Sequence, residues 1–198
     1  MAVKRVTSPL TTQTARSLVV GDMVLVSGTI VTGRDRVHAY LASGGEPPVD
    51  LRGKVLYHCG PVAVKSPDGS YMVTAAGPTT SMREEPYEAA VIERFGVAAV
   101  MGKGGMGDRT REALRSCGCV YLHATGGAAR YLAGCIERVV EVHLEEFGQP
   151  EAMWVLAVKD LPALVTMDAH GESLHETVLE SSRRAFMTVL QKRYAPQS

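Results

Sequence analysis

Two loop-to-helix junctions contain the residues best suited to bind an anion. Gly77–Ser81 (GPTTS) leads, with Arg83, into a helical pattern, and the loop Gly102–Gly107 (GKGGMG) follows an apolar strand and includes Lys103. The first N–H groups of a helix are unpaired and its dipole is positive there, so both junctions favour negatively charged ligands. A cation such as Arg83 in a first helical turn opposes that dipole unless an anion lies beside it. The spacing predicts a site for a small anionic substrate.

The hydroxyl groups at the first junction have two interpretations. Ser81-x-x-Glu84 matches a capping box, in which a hydroxyl starts a helix. Capping does not explain Thr79 and Thr80, which stand consecutively before that cap. A hydroxyl beside Lys or Arg can also transfer protons, because nearby cations lower its pKa.

Two further turns are open to both structural and functional interpretations. Arg34-Asp35-Arg36 begins a helical pattern, so it is either a solvated charged turn or contains an arginine that grips a carboxylate with two hydrogen bonds. Gly126-Gly127 follows a strand, and it either packs tightly or brings backbone close to a ligand. The sequence leaves these alternatives equal.

The glycine loop resembles a dinucleotide fingerprint in its letters alone. Gly102-x-Gly104-x-x-Gly107 lies between a strand and a helix. The fingerprint also requires an acid at the end of the next strand, where this chain has Ala124–Gly127 and no carboxylate. We therefore do not expect a nucleotide.

Composition limits the class of protein further. The 198 residues include 21 Lys or Arg against 21 Asp or Glu and are 45% hydrophobic. Because these charges balance, the protein has no overall electrostatic field that would attract nucleic acid or an anionic membrane. Without an apolar leader or an apolar run of about 18 residues, we expect a cytoplasmic protein outside the membrane.

Neither cysteine nor histidine forms a recognisable metal motif. The cysteines are Cys59, Cys117, Cys119 and Cys135, and none makes a C-x-x-C pair. The six histidines show neither H-E-x-x-H nor a zinc spacing. We expect reduced thiols, structural histidines and no metal bound by this chain.

The hydrophobic pattern predicts one mixed α/β domain over residues 1–198. Strands and helices alternate from Val97 to His143 in a βαβαβ pattern, which favours a partly parallel sheet with right-handed crossovers. Trp154–Val158 and Ala163–Met167 are expected to be two more strands, and a C-terminal helix is expected at about 176–194. No internal repeat is present.

Several motifs, in order from Leu10 to about Leu174, resemble one family: the β subunit, or C-terminal domain, of iron–sulfur hydro-lyases of the fumarate/tartrate type. The matching pieces are Val20-Gly21-Asp22, Thr32-Gly33-Arg34-Asp35 with His38, His58-Cys59-Gly60-Pro61, Ala76–Ser81 with Arg83, Met101–Met106, Gly126-Gly127-Ala128 and Asp168–Gly171.

The resemblance implies a swivelling β/β/α domain that closes over a [4Fe–4S] cluster held by a partner α subunit. It implies an enzyme active only with that partner, in a hetero-oligomer such as a dimer of αβ pairs. Thr79 and Lys103 would be catalytic, with Thr79 transferring protons. The residues implied to bind substrate are Arg34, Arg83, Lys103, Thr80 and Gly127.

Three functions remain open on the sequence alone. The first is a hydro-lyase of the fumarate/malate type, and the second is an L(+)-tartrate dehydratase of the same architecture. The third is a stand-alone anion-binding module without catalysis. The sequence leaves the diacid open among fumarate, tartrate and mesaconate.

Overall fold

A computed structural model describes residues 3–194. The strands are β1 (Val3–Ser8), β2 (Met23–Thr32), β3 (Val55–Tyr57), β4 (Val62–Lys65), β5 (Tyr71–Ala75), β6 (Ala99–Gly102), β7 (Val120–His123), β8 (Ile136–His143) and β9 (Met153–Met167). The α-helices are α1 (Thr12–Arg16), α2 (Asp35–Ala42), α3 (Glu85–Phe95), α4 (Asp108–Cys117), α5 (Ala129–Gly134) and α6 (Leu174–Tyr194). Short 3₁₀ turns lie at Ser81–Arg83 and Glu145–Phe147. The mixed α/β class expected from the sequence is confirmed.

Five strands close on themselves to form the centre of the fold. β2, β3, β6 and β7 are parallel neighbours in that order, and β9 pairs antiparallel with both β7 and β2. β1 and β8 extend this sheet, while β4 and β5 form a separate hairpin. The parallel register places the carboxyl ends of four strands along one rim, so the loops that follow them meet there.

Side-chain alternation along the parallel strands creates two apolar layers. Leu56, Val100 and Tyr121 pack with the helices α2, α3 and α4, whereas the alternate residues Tyr57 and Met101 pack in a second buried cluster. A strand buried on both faces is typical of a parallel sheet. α3 and α4 each end at a glycine in the left-handed region, Gly96 and Gly118, which returns the chain to the sheet.

The two strands expected at Trp154–Val158 and Ala163–Met167 form a single strand, so that prediction was wrong. β9 spans 15 residues, and Asp160 adopts φ 49° within it. The Asp160 N–H donates to Ser27 Oγ at 3.0 Å, which ties this irregular point to β2. A bulge resembles a turn in sequence because both favour residues that tolerate positive φ.

The partly parallel sheet expected from the βαβαβ pattern is confirmed. β6 and β7 are parallel, but β8 pairs antiparallel with β9 instead of parallel with β7. β9 occupies the place beside β7 because it closes the sheet, so β8 is left at the edge. The local alternation of helices and strands does not show that a strand from later in the chain will pair with β7.

The C-terminal helix was expected at about 176–194, and the structure has α6 at Leu174–Tyr194. Apolar side chains such as Leu179 and Phe186 are exposed along it. Within residues 3–194, no helix combines the length and the apolar composition that crossing a bilayer requires.

Candidate functional site

Most of the residues singled out from the sequence lie on the rim formed by the carboxyl ends of the parallel strands. Arg34 follows β2, Lys103 follows β6, and Gly126-Gly127 follows β7. His58 follows β3 on the same rim. Ligands of α/β sheets typically bind outside the carboxyl ends of the strands. The rim is therefore the candidate site.

The segment Thr79–Ser81 is attached to this rim by backbone hydrogen bonds. The Thr79 N–H donates to the His58 carbonyl at 2.7 Å, and the Lys103 N–H donates to the Thr79 carbonyl at 3.3 Å. The Ser81 N–H donates to the Lys103 carbonyl at 3.0 Å. The backbones of Thr79 and Thr80 thus lie directly beside that of Lys103.

Among residues 3–194, Lys103 is the predicted cation without a counter-ion. Within the part of the chain that the structure describes, no carboxylate oxygen lies within 4.0 Å of its ammonium. Its side chain runs past Gly126, where an added Cβ would lie 3.2 Å from Lys103 Cδ. An uncompensated ammonium against a glycine turn favours an incoming anion. Gly127, in the same turn, is exposed and a Cβ there would meet nothing within 4 Å.

Arg34 is half-buried at the beginning of α2. Its Nη2 lies 3.3 Å from Glu151 Oε1, while its buried Nε makes no hydrogen bond with any described residue. The guanidinium packs against Gly60, because a Cβ at that position would lie 2.8 Å from Nη1. Arg34 is therefore positioned by Glu151 and Gly60, and part of its guanidinium has no hydrogen-bond partner among the described residues.

Arg83 lies in the 3₁₀ turn before α3, where the sequence suggested the first turn of the helix itself. Its guanidinium forms a bidentate pair with Asp35, with Nε and Nη2 at 3.2 and 2.5 Å from the two carboxylate oxygens. Asp35 therefore supplies the anion that a cation near a helix N-terminus needs. The pair brings the Arg34-Asp35 turn and the Thr79–Arg83 segment together.

The capping-box interpretation of Ser81 was wrong. Glu84 is the N-cap of α3 and makes no side-chain cap bond. Ser81 Oγ instead points into the protein, 2.9 Å from His58 Nδ1 and 2.8 Å from the Tyr121 hydroxyl. It passes Gly102 so closely that a Cβ there would lie 1.9 Å from it. The serine is used for an interior contact that local sequence cannot reveal.

Behind the rim, three fully buried ionisable side chains contact one another. Glu88 Oε2 lies 2.8 Å from His58 Nε2 and 2.9 Å from His38 Nε2. Burial lowers the pKa of His38, but the Glu88 carboxylate outweighs this and raises the pKa to about 9. Burial raises the pKa of Glu88, yet the two imidazoles bring it down to about 2. Burial lowers the pKa of His58.

Glu84 is a buried carboxyl group of a different kind. It is fully buried, and neither carboxyl oxygen has a hydrogen-bond partner among the described residues. Burial raises the pKa of Glu84 to about 7, against the opposing charge of His38, whose Nδ1 is 4.0 Å away. Glu84 is therefore largely protonated below neutral pH.

The cysteines of this chain do not fit an iron–sulfur cluster, which needs thiolate ligands grouped around the iron. Burial raises the pKa of the Cys59 thiol to about 12 and that of Cys119 well above its ordinary value. Across residues 3–194, the group of three His, Cys, Asp or Glu with metal-like spacing is His38, His58 and Glu88. The 2.8 Å contact of Glu88 with His58 is a hydrogen bond, the 2.9 Å contact with His38 is an ion pair, and each His Nδ1 also faces an oxygen.

Sequence reasoning missed the residues that orient the predicted ones. In the sequence, Asp35 suggests only a first-turn acid or part of a charged turn, and Glu151 and Glu88 belong to no motif. Asp35 and Arg83 are 48 residues apart, so no local pattern connects them. The sequence offers one signal for Glu88: it is a carboxylate on the face of helix α3 that packs inward.

Comparisons with known proteins match nearly the whole chain. The family model described as "Fumarase C-terminus" matches residues 2–178. The chain is 57% identical over 175 residues to a protein of Geobacillus stearothermophilus named as a putative class I fumarate hydratase, covering 88% of this chain and 34% of that protein. It is 40% identical over 173 residues to the β subunit of L(+)-tartrate dehydratase of Escherichia coli, covering 86% of each. The chain thus spans about a third of the first relative and most of the second.

Proposed function

The chain belongs to the fumarase C-terminus family, which includes class I fumarate hydratases and β subunits of L(+)-tartrate dehydratase, and we propose that it is the β subunit of an iron–sulfur hydro-lyase. The proposed reaction is the reversible addition or removal of water on a C4 dicarboxylate of the fumarate/malate type. The observation that supports this best is the uncompensated Lys103 beside Thr79 on the rim.

The proposed roles follow from charge and placement. Lys103 and Arg34 have donors to spare for one or both substrate carboxylates. Arg83, oriented by Asp35, binds a carboxylate from the side that Asp35 leaves open. Thr80 and Gly127 lie against the bound diacid.

Thr79 is the proposed proton-transfer residue. Its backbone N–H and carbonyl are both hydrogen-bonded, to His58 and to Lys103, so the residue has a fixed backbone on the rim. A nearby ammonium favours the ionised form of a hydroxyl, which makes Thr79 a better base than an isolated threonine.

The partner α subunit is proposed to hold the [4Fe–4S] cluster, since the cysteines of this chain do not fit one. Iron in such a cluster supplies a Lewis acid that assists loss or addition of hydroxide. The residues of this chain orient the diacid, neutralise its charge and move the proton. We propose a cytoplasmic hetero-oligomer, such as a dimer of αβ pairs.

L(+)-tartrate is the second candidate substrate. The chain is 40% identical to the tartrate dehydratase β subunit and covers 86% of it, which supports this candidate. The higher identity of 57% to the class I fumarate hydratase favours fumarate and malate. A stand-alone anion-binding module is the alternative without catalysis.

Anaerobic co-expression with a cluster-bearing α subunit tests the proposal. We expect the purified complex to interconvert fumarate and malate faster than it uses tartrate or mesaconate, and the chain alone to be colourless and inactive. Preference for tartrate would establish the second candidate. A cluster-containing complex that uses none of these diacids, or a reconstituted chain that forms a cluster and turns over fumarate alone, would overturn the proposal.

A further inference from the structure

The buried carboxylate of Glu88 lies between two imidazoles that reach opposite parts of the rim. Its Oε2 is 2.8 Å from His58 Nε2 and 2.9 Å from His38 Nε2, and all three side chains are fully buried. Ionised groups in a protein interior are costly, and an apolar replacement of similar volume is often as stable. The position of this group therefore suggests a role beyond packing.

His38 connects Glu88 to Arg34. The His38 Nδ1 lies 2.9 Å from the Arg34 carbonyl oxygen, which can only accept, so Nδ1 bears the proton. Arg34 is the N-cap of α2 and has no side-chain cap bond. His38 therefore contacts the backbone of Arg34 at the start of this first turn.

His58 connects Glu88 to the segment Thr79–Ser81. Its carbonyl accepts from the Thr79 N–H at 2.7 Å, and its Nδ1 lies 2.9 Å from Ser81 Oγ. The Tyr121 hydroxyl holds the other side of Ser81 Oγ at 2.8 Å. His58 thus holds both ends of this segment, Thr79 through its backbone carbonyl and Ser81 through its imidazole.

The hydrogen bonds form one consistent series with a neutral His58. The Tyr121 hydroxyl donates to Ser81 Oγ, Ser81 donates to His58 Nδ1, and His58 Nε2 donates to Glu88. His38 approaches the same carboxylate oxygen with a positive charge. Glu88 accepts the hydrogen bond of His58 and forms an ion pair with His38, whose Nε2 is close but not aligned for a hydrogen bond. No other described carboxylate lies within 4.0 Å of both imidazoles.

We propose that Glu88 is a positioning residue of the diacid site: by holding His38 and His58 together, it fixes the placement of Arg34 relative to the Thr79–Ser81 segment. This inference rests on the proposed function, because the site being positioned is the one described above. Glu88 itself is buried and does not contact substrate.

Glu88→Gln in the full chain and in the αβ complex is the direct test, with Glu84→Gln as the matched control. Both substitutions replace a fully buried carboxyl by an amide of equal size on the same segment, but the Glu84 carboxyl makes no hydrogen bond with any described residue. We expect Glu88→Gln to lower kcat/KM for the diacid about 100-fold, since a small misplacement of catalytic groups has that effect. Cluster content and partner binding should stay normal. Glu84→Gln should keep wild-type kinetics.

Amide hydrogen exchange on the full chain separates this inference from the proposed function. In Glu88→Gln, we expect residues 34–38 and 79–83 to exchange together about tenfold faster, while the amides of β9 keep their protection. This readout needs no substrate, so it stands even if the complex uses no diacid. Loss of thermal stability with unchanged kcat/KM and unchanged exchange in both segments would overturn the inference.

Two further measurements keep the inference falsifiable. If Glu88→Gln does not fold, Ser81→Ala removes one contact of the same series without changing a charge, and it should lower kcat more than stability. Unchanged kcat in Ser81→Ala would contradict the inference. Stoichiometric zinc or iron retained by the purified chain and lost in Glu88→Gln would also overturn it, because coordination would then hold the three side chains.

Discussion

Arg83 and Asp35 face each other across the rim as a bidentate ion pair, although 48 residues separate them in the chain. The Arg83 side chain remains 55% exposed, so one side of the guanidinium is open. Asp35 also stands next to Arg34 in the chain. One carboxylate therefore sets the position of Arg83 against the turn that presents Arg34.

Asp35→Asn should weaken substrate use more than stability. An exposed ion pair contributes only about 0–1 kcal/mol to folding, but loss of the carboxylate frees Arg83 to change orientation. We expect a several-fold rise in KM for the diacid and a nearly constant Tm. Arg83→Ala, which deletes a charge-assisted contact of about 1.5–3 kcal/mol, should cost more in kcat/KM. A large drop in Tm at unchanged KM would assign the pair a purely structural role.

Lys103→Ala should reduce kcat/KM without loss of stability. The ammonium has no ion-pair partner among the described residues, so its removal breaks no internal contact of that kind. A charge-assisted bond to a substrate carboxylate contributes about 1.5–3 kcal/mol, and kcat/KM should fall accordingly. Steady-state kinetics and thermal unfolding measure the two effects. Lys159→Ala, at an exposed position on β9, is the control. Equal kinetics for both variants would exclude Lys103 from the site.

Gly127→Ala examines whether substrate approaches the backbone of the turn after β7. A Cβ at Gly127 would meet no protein atom within 4 Å, so the substitution should leave the fold intact. If the diacid lies against this turn, KM should rise while Tm stays constant. Gly134→Ala is a matched control, because a Cβ there also meets nothing within 4 Å. A KM equal to that of the control would remove Gly127 from the substrate contacts.

Glu84 makes stability depend on pH. Burial raises its pKa from the ordinary value of 4.5 to about 7 in the folded chain. A group with a raised pKa contributes fully below its unfolded value, and that contribution disappears as pH rises through the folded value. The free energy of unfolding should therefore decline between about pH 4.5 and 7 by up to about 3 kcal/mol from this group.

Glu84→Gln should remove that decline, because an amide does not ionise. Urea unfolding from about pH 5 to 8 would show the two curves diverging, with the variant more stable at the alkaline end. Identical pH dependence of stability in wild type and variant would contradict this, because it would mean that the Glu84 pKa is not raised in the folded chain.

The sequence allowed the cationic and hydroxyl residues of the site to be chosen, because helix starts, glycine turns and strands have local patterns. Arg34 and Lys103 lie on one rim since parallel strands present their carboxyl ends together, and Thr79 is attached to it by backbone hydrogen bonds with His58 and Lys103. The capping role of Ser81 and the division of β9 were wrong, because contacts with Tyr121, His58 and β2 override local preference. Pairs such as Arg83 with Asp35 depend on closure of the whole sheet.

The central claim is that this chain supplies the proton-transfer and anion-binding groups while its partner supplies the electrophile. Thr79→Val compared with Thr80→Val in the assembled complex, at equal cluster content, measures this most directly. A positioned acid or base contributes about 10²–10⁴-fold in rate, so Thr79→Val should lower kcat by that order with Tm nearly unchanged. Thr80→Val should affect mainly KM. Equal, small effects of the two substitutions on kcat would contradict the claim and place the base on the partner subunit.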